Sequence, residues 1–287
     1  MKHLGLIGFP LEHSFSPAYF KEKFQREGLM DYHYEVFPLS SIELLPELLS
    51  QHPDLGGFNV TIPYKEAIIP YLDELDEAAA EIGAVNCVKI LKNTDKEDKS
   101  YNATARTQLP TKKDYRLKGY NTDAPAFAQC LQEGWTFQIN KSTNQQINKK
   151  AFFIQENWTL PSKALVFGTG GAAKAVAYAL KQLHIDFYFV SRSKRDEQTI
   201  LYSDLSQDLL KKCKLWINAT PVGMFPHTEE LLPIDYSLIG REHYLFDLIY
   251  NPEETLFLRY GREHGAHIQN GLAMLHTQAE LSWKVFR

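Results

Sequence analysis

Cysteine is scarce in this sequence. Only Cys87, Cys130 and Cys213 occur among the 287 residues, and they lie far apart, outside any C-x-x-C pair. Three widely spaced cysteines predict neither a disulfide framework nor a zinc site, and they favour a reducing compartment. We therefore expect a cytoplasmic protein, and we predict no metal site.

Two other features are missing: an excess of positive charge and a long apolar run. The 31 lysines and arginines are outnumbered by 35 aspartates and glutamates, and no basic stripe offsets the net charge of −4. This balance argues against a nucleic-acid partner. The apolar run at residues 4–9 is interrupted by Gly5 and Gly8, and it is too short for a signal segment or a membrane span. We expect the partner to be a small molecule.

The composition is that of an ordinary globular protein, with 44% hydrophobic and 23% charged residues. A chain of 287 residues favours two domains of modest size. In its first half, short apolar runs alternate with helical patterns, which is typical of parallel α/β structure. The predicted strands are residues 4–8, 32–37, 57–60 and 84–91, and the predicted helices are residues 17–27, 41–51 and 76–82.

The polar stretch at residues 92–118 is predicted to be a solvated loop or the tip of a hairpin, and a second such stretch lies at residues 140–150. The second follows a helix predicted over residues 124–133. Beyond it, an apolar strand at 164–167, a helix at 174–183 and a strand at 186–190 predict a βαβ unit. Its glycines fall where the first strand meets the helix.

These glycines match the dinucleotide-binding pattern G-x-G-x-x-G/A at Gly168, Gly170 and Ala173. The first permits a tight turn, the second lets the backbone approach a pyrophosphate, and the third allows close helix packing. The helix N-terminus adds free N–H donors and a positive dipole end. The alternative is an ordinary tight turn between strand and helix.

The end of the second βαβ strand indicates which nucleotide is bound. NAD-binding folds place a carboxylate there for the ribose 2′-hydroxyl, whereas this chain has Arg192, Lys194 and Arg195. Basic side chains at this position suit a 2′-phosphate, so NADP is favoured over NAD. The alternative is a solvated basic turn.

In the first half, polar residues follow the predicted strands, where open α/β sheets bind ligands. Ser14 and Ser16 stand before a helix with Pro17 near its start and can bind a carboxylate, although Ser16 can also be a plain helix cap. Asn59 and Thr61 share one side of an extended segment. Lys65 follows them and can protonate a carbonyl oxygen.

Asn86 and Asp123 complete this set of candidates. Asn86 offers a donor and an acceptor to a hydroxyl, and Asp123 can pair with a lysine or accept from a hydroxyl. Either residue can equally cap a helix or form a turn.

Seven motifs, taken in order, resemble the shikimate dehydrogenase family. They are S-x-S-P at 14–17, N-V-T-x-P-x-K at 59–65, G-A-V-N at 83–86, G-x-N-T-D at 119–123, G-x-G-G-A at 168–172, N-A-T-P-x-G-M at 218–224 and N-G-L-x-M-L-x-x-Q at 270–278. The resemblance implies two α/β domains with a cleft between them. The substrate-binding domain comprises residues 1–122 completed by 271–287, and the Rossmann-type NADP-binding domain comprises 123–270, with a C-terminal helix at 272–286 returning to the first domain.

The resemblance also assigns roles. Lys65 is similar to the family's catalytic lysine, with Asp123 as its partner. The implied substrate contacts are Ser14 and Ser16 to the carboxylate, Thr61, Asn86, Asp123 and Gln278 to the ring hydroxyls, Asn59 in support, and Tyr250. The implied cofactor contacts are Gly168, Thr169, Gly170, Gly171 and Ala172 to the pyrophosphate, Ser191, Arg192, Ser193 and Arg195 to the 2′-phosphate, and Asn218, Ala219, Thr220, Leu248 and Gly271 on the nicotinamide side.

The implied reaction is the reversible reduction of 3-dehydroshikimate to shikimate by NADPH, a step towards chorismate and the aromatic amino acids. The enzyme is expected to be a monomer or homodimer. Three alternatives stay open: a quinate or quinate/shikimate dehydrogenase, a non-catalytic sensor of the same ligands, and an unrelated Rossmann-type dehydrogenase. Arg192 argues against an NAD-linked quinate enzyme, and the presence of Lys65 and Asp123 argues against a sensor.

Overall fold

The computed structural model describes residues 2–12, 14–92, 114–143, 160–193 and 196–287, with the side chains of 136–143 left out. The chain divides into two compact units, Met1–Asn121 with Ser282–Arg287 (unit 1) and Thr122–Leu281 (unit 2). The resemblance implies a substrate-binding domain and an NADP-binding domain, and the boundaries of these functional domains stay a prediction.

Unit 1 is built around a mixed six-stranded sheet of order β2-β1-β3-β5-β6-β4. Its strands are β1 (Lys2–Gly8), β2 (Tyr32–Pro38), β3 (Leu55–Val60), β4 (Glu74–Leu75), β5 (Cys87–Lys92) and β6 (Tyr115–Tyr120). Its helices are α1 (Ser16–Arg26), α2 (Leu45–Gln51), α3 (Tyr64–Ala67) and α4 (Glu77–Ile82). The core beneath the sheet includes Ile7, Phe58, Val60, Ile68 and Val88, each at most 2% exposed.

The structure corrects three expectations for unit 1. The sheet is mixed rather than wholly parallel, because β5 is antiparallel to both β3 and β6, and antiparallel strands need no helical crossover. The predicted helix at 41–51 starts as a 3₁₀ turn at Ile42–Leu44, and α2 then begins beside Pro46, whose fixed backbone angle suits a first helical turn.

The third correction concerns the polar stretch at 92–118. Residues 93–113 lie outside the described residues, but Tyr115–Tyr120 form β6 rather than a loop. Leu117 and Gly119 alternate as its buried positions, which is the period of a half-buried strand. The surrounding lysines and arginines concealed this short alternation.

Unit 2 contains a six-stranded sheet of order β12-β11-β10-β7-β8-β9, parallel throughout. Its strands are β7 (Lys163–Phe167), β8 (Asp186–Ser191), β9 (Thr199–Leu201), β10 (Leu215–Asn218), β11 (Tyr244–Asp247) and β12 (His267–Gln269). Its helices are α5 (Asp123–Thr143), α6 (Gly171–Gln182), α7 (Gln207–Lys212), α8 (Leu256–Glu263) and α9 (Leu272–Phe286), and the end of α9 from Ser282 belongs to unit 1. In the order of the chain within unit 2, this arrangement is 3-2-1-4-5-6, the dinucleotide-binding topology.

Helix α5 is longer than the predicted 124–133, and residues 140–143 are helical rather than a loop. Gly134 does not end the helix. A Cβ placed on Gly134 would collide with the side chains of Gln269 and Tyr244, so this position requires glycine for close packing. Residues 144–150 of the second polar stretch lie outside the described residues. Among the described helices, none is long and apolar enough to cross a membrane.

Candidate active site

In unit 1, Ser14 and Ser16 follow the carboxyl end of β1, and both are half-buried. Phe15 is the N-cap residue of α1 and Ser16 is its first helical residue, so the alternative of Ser16 as a helix cap is wrong. The side chain of Ser16 is instead hydrogen-bonded to the hydroxyl of Tyr34. The backbone N–H of Ser14 donates to the Leu11 carbonyl at 3.0 Å, which fixes the turn.

Tyr34 was not among the predicted site residues, yet it connects two of them. Its buried hydroxyl donates to Asn59 Oδ1 at 2.9 Å. Burial raises the pKa of the Tyr34 phenol well above its ordinary value, and the nearby Cys87 adds to the rise, while the hydrogen bond with Ser16 opposes it. The phenol therefore stays protonated and acts as a permanent donor to Asn59. The buried residues of β2 are Tyr34 and Phe37, which do not follow the alternation of a half-buried strand, so the sequence offered no local signal for Tyr34.

Asn59 uses the other end of its amide within unit 1. Its Nδ2 donates to the backbone carbonyl of Asn86 at 3.1 Å and to the hydroxyl of Ser282 at 2.8 Å. With both oxygen and nitrogen engaged, Asn59 holds its neighbours in place rather than offering itself to a ligand. The supporting role that the resemblance implies for Asn59 stays a prediction.

Thr61 and Lys65 follow the carboxyl end of β3, and both are half-buried. The Lys65 carbonyl accepts from the N–H of Val85 at 2.7 Å, and the Asn86 carbonyl accepts from the N–H of Val60 at 2.9 Å. These bonds fasten the turn that carries Lys65 to the segment that carries Asn86. Unit 1 thus brings six of the predicted residues to neighbouring strand ends and joins Ser16, Asn59 and Asn86 in one network.

The position of Asn86 depends on the end of α4. Asp76 caps the start of this helix through Oδ1 and the Ala79 N–H at 2.9 Å, and Gly83 ends it with φ of +67°. Glycine adopts this left-handed conformation without strain. The chain then passes directly into Asn86, which is 3% exposed.

The remaining substrate candidates belong to unit 2. Asp123 is the first residue of α5 and is 5% exposed, where the positive end of the helix dipole favours a carboxylate. Tyr250 follows β11 and is half-buried. Gln278 lies within α9, and its Nε2 donates to the Leu275 carbonyl at 2.9 Å.

The glycine loop in unit 2 has the geometry that a pyrophosphate requires. Gly168 follows β7 with φ of +107°, and a Cβ there would lie 3.0 Å from the Ala219 carbonyl oxygen. Gly170 is exposed, and a Cβ there would have no described atom within 4 Å. Helix α6 begins at Gly171, three residues earlier than predicted, so the N–H groups of Gly171 and Ala172 lie in its first turn. These groups lack intrahelical acceptors and can bind an anion.

The candidate 2′-phosphate residues lie at the carboxyl end of β8. Ser191 Oγ accepts from the Ser193 N–H at 3.4 Å, and Arg192 is exposed beside them. Burial raises the pKa of Tyr202 to about 12, and the positive charge of Arg192 opposes this rise. The carboxylate of Asp196 accepts from the Thr199 hydroxyl at 2.7 Å. Arg195 lies outside the described residues.

The residues expected on the nicotinamide side meet at the ends of β7, β10 and β11. Ala219 N–H donates to the Phe167 carbonyl at 2.9 Å, and Leu248 N–H donates to the Asn218 carbonyl at 3.0 Å. The side-chain oxygen of Asn218, Oδ1, accepts from the backbone N–H of Thr220 at 3.0 Å and from its hydroxyl at 2.6 Å. A Cβ on Gly271 would collide with the Leu248 carbonyl, so this contact requires glycine.

Asp247 completes this edge and was also absent from the predicted set. It is fully buried, and its carboxylate accepts from the Thr255 hydroxyl at 2.6 Å, the Ile249 N–H at 3.0 Å and Asn218 Nδ2 at 3.1 Å. Burial raises its pKa to about 6, and the hydrogen bonds from Thr255, Ile249 and Asn218 oppose the rise. Asp247 therefore holds the loop that carries Leu248 and Tyr250.

The fold and this edge of unit 2 define a class, the Rossmann-type dinucleotide-binding proteins. The order of the parallel sheet changes direction between β7 and β10, where ligands bind in such folds. Gly168 and Ala219 lie at this point. Unit 1 adds a second α/β unit with polar side chains at its strand ends.

Comparisons with known proteins specify the family. Residues 6–88 match the family model for the shikimate dehydrogenase substrate binding domain. A protein of Halothermothrix orenii named shikimate dehydrogenase (NADP(+)) is 32% identical over 307 residues, covering 99% of this chain and 90% of the relative. The chain belongs to the shikimate dehydrogenase family.

Solved structures agree with this assignment. Shikimate 5-dehydrogenase from Thermus thermophilus, in complex with NADP(H) and shikimate, is similar with a TM-score of 0.71 and 28% identity, covering 100% of this chain and 93% of that one. Quinate dehydrogenase from Corynebacterium glutamicum, in complex with NAD, is similar with a TM-score of 0.73 and 25% identity, covering 99% and 93%. The backbone alone therefore does not separate shikimate from quinate enzymes, and side chains must do so.

Proposed function

We propose that this protein catalyses the reversible reduction of 3-dehydroshikimate to shikimate by NADPH. The observation that carries the proposal is the attachment of the Lys65 turn to the Asn86 segment through the 2.7 Å bond from Val85 to Lys65. This bond supports the proposal because it ties the backbone of the Lys65 turn to the segment of unit 1 that carries Asn86. The names of the relatives support the reaction and the cofactor.

The residues of unit 2 fit the cofactor. The open surface at Gly170 and the first turn of α6 suit a pyrophosphate, and the exposed guanidinium of Arg192 suits a 2′-phosphate. NADPH, when bound, supplies the hydride for the ring carbonyl carbon.

The substrate side of the reaction falls to the residues of unit 1 together with Asp123, Tyr250 and Gln278. Ser14 and Ser16 bind the substrate carboxylate, and the side chains of Thr61, Asn86 and Gln278 hold its hydroxyls. As negative charge grows on the carbonyl oxygen, the Lys65 ammonium stabilises this charge and donates the proton. The carboxylate of Asp123 accepts a charge-assisted hydrogen bond from a substrate hydroxyl.

Replacing Lys65 with alanine tests the central role. Loss of a positioned proton donor lowers rates by about a hundredfold or more, so we expect kcat to fall this far while KM for shikimate changes much less. Lys21→Ala is the matched control, since Lys21 is an exposed lysine on α1 of the same unit. If kcat of the Lys65 variant stays within about tenfold of the wild type, about 1.4 kcal/mol, the assigned role is wrong.

Ser14→Ala tests the carboxylate site. It removes one hydrogen bond to a charged group, worth about 1.5–3 kcal/mol, so KM for shikimate rises more than tenfold while kcat changes little. An unchanged KM would remove Ser14 from the site.

We also propose a reducing, cytoplasmic location, supported by Cys87, Cys130 and Cys213 being free and buried. Fractionation of cells tests it, and recovery of the protein outside the cytoplasm would contradict it. The oligomeric state, monomer or homodimer, stays a prediction for sedimentation.

A further inference from the structure

Three histidines and two carboxylates cluster in unit 1, on β1 and β2 and just before β3: His3, His33, His52, Glu35 and Asp54. His3 on β1 is the direct partner of His33 on β2. Glu35 lies two residues further along β2 and therefore projects from the same face. The cluster is at the opposite ends of these strands from Ser14 and Thr61, so it is separate from the substrate residues.

The distances within the cluster fit a metal ion. His3 Nε2 lies 3.1 Å from Glu35 Oε2, and His33 Nε2 lies 3.8 Å from the same oxygen. Zinc binds histidine nitrogen and carboxylate oxygen at about 2.0–2.2 Å in a tetrahedron, which separates neighbouring ligand atoms by roughly 3.3 Å. The ligand atoms of His3, His33 and Glu35 all lie within 4.8 Å of one another, so small side-chain movements complete the set.

A second carboxylate orients the buried histidine. The other ring nitrogen of His3, Nδ1, lies 3.3 Å from Asp54 Oδ2. Histidines that bind metals usually donate their second N–H to a carboxylate, which fixes the tautomer and strengthens the ligand. Asp54 therefore leaves Nε2 as the metal-binding nitrogen, and this nitrogen faces Glu35.

The buried His3 and the exposed His33 and Glu35 are suited to different roles in metal binding. The side chain of His3 is 9% exposed, whereas those of His33 and Glu35 are 53% and 44% exposed. The buried ring supplies a fixed anchor, and the two outer groups leave room for ion entry and for a water as fourth ligand.

We propose that His3, His33 and Glu35 bind a divalent transition metal of the zinc class, with Asp54 as the group that orients His3. The ion joins β1 to the edge strand β2. Because the ligands converge only when these strands pair, the ion binds the folded unit and stabilises it by mass action. The site departs from the prediction of no metal, which rested on cysteines and contiguous motifs.

Isothermal titration of metal-free, full-length protein with zinc chloride, in the presence of a non-thiol reductant, tests the proposal without using turnover. The wild type is expected to bind one zinc ion per chain. His33→Asn and Glu35→Gln each raise the zinc Kd more than tenfold, and Asp54→Asn raises it about ten- to a hundredfold. These three side chains are substantially exposed, so the variants should fold. Zinc raises the thermal midpoint of the wild type but not of His33→Asn.

Two control variants sharpen the result. His227 is an exposed histidine in unit 2, and His227→Asn should leave the zinc Kd unchanged. His52 lies next to His3, with ring centroids 5.7 Å apart, and forms an alternative ligand set with His3 and Asp54. Zinc binding lost in His52→Asn but retained in His33→Asn would overturn the assignment. No saturable zinc binding by the wild type would overturn the site altogether.

Discussion

Asp247→Asn replaces a buried carboxyl whose ionisation opposes folding at neutral pH. Asparagine has the same shape, and its oxygen can still accept from Ile249 and Asn218 as the carboxylate does. Its amide group faces Thr255, whose hydroxyl can turn to accept instead of donate. The substitution therefore removes the charge with little change to the packing of the loop at Leu248.

The magnitude follows from the pKa of Asp247, which burial raises from 3.8 to about 6. This change corresponds to about 3 kcal/mol. Because the folded protein binds the proton more tightly than the unfolded chain, the contribution to stability is fully present below pH 3.8 and is lost as the pH rises through 6. Roughly half of this loss, about 1–2 kcal/mol, falls between pH 5 and neutrality.

Urea unfolding of wild type and variant at pH 5, 6 and 7.5 measures this contribution, with circular dichroism as the signal. The variant is expected to gain stability relative to the wild type by about 1–2 kcal/mol between pH 5 and 7.5, because other titrating groups cancel in the comparison. A stability difference that stays constant within about 0.4 kcal/mol would show that Asp247 does not titrate in this range, and would refute the reasoning.

Three further predictions concern the network and the cofactor site. Asn59→Ala leaves the Tyr34 hydroxyl without its acceptor and should lower the free energy of unfolding by about 1–3 kcal/mol; a loss below about 0.5 kcal/mol in urea unfolding would contradict this. Gly168→Ala forces a side chain into φ of +107° and against Ala219, so it should cost about 1–3 kcal/mol of stability and weaken NADP binding in fluorescence titration; unchanged affinity would argue against a pyrophosphate at this loop. Arg192→Gln should raise KM for NADP by about ten- to a hundredfold and leave KM for NAD nearly unchanged, whereas equal changes would mean that Arg192 does not contact the 2′-phosphate.

The sequence predicts well those features that depend only on residues contiguous in the chain. The βαβ unit around Gly168 combines an apolar strand, small residues and a helical period within about 25 residues. The helix at 272–286 is likewise found with the predicted bounds. Both follow from local backbone preference and from one periodic apolar face.

The features that the sequence misses depend on register between distant strands. Tyr34 and Asp247 are identified only when the neighbours of β2 and β11 are known, because a buried polar residue in an apolar strand has no local signal. Gly134 breaks a helical pattern in sequence, whereas in the fold it allows Tyr244 and Gln269 to approach α5. The histidine cluster is missed for the same reason. Its proposed ligands come from two strands, and they are brought together only when His3 pairs with His33.

The most direct measurement of the central claim is nicotinamide absorbance with purified protein, using shikimate or quinate with NADP or NAD at equal concentrations. The proposed function predicts rapid reduction of NADP that depends on shikimate, and much slower reaction with the other three combinations. Dominant turnover of quinate or NAD would assign the protein to the quinate dehydrogenases instead. Folded protein that binds shikimate but reduces neither nicotinamide would contradict a catalytic role and favour a sensor.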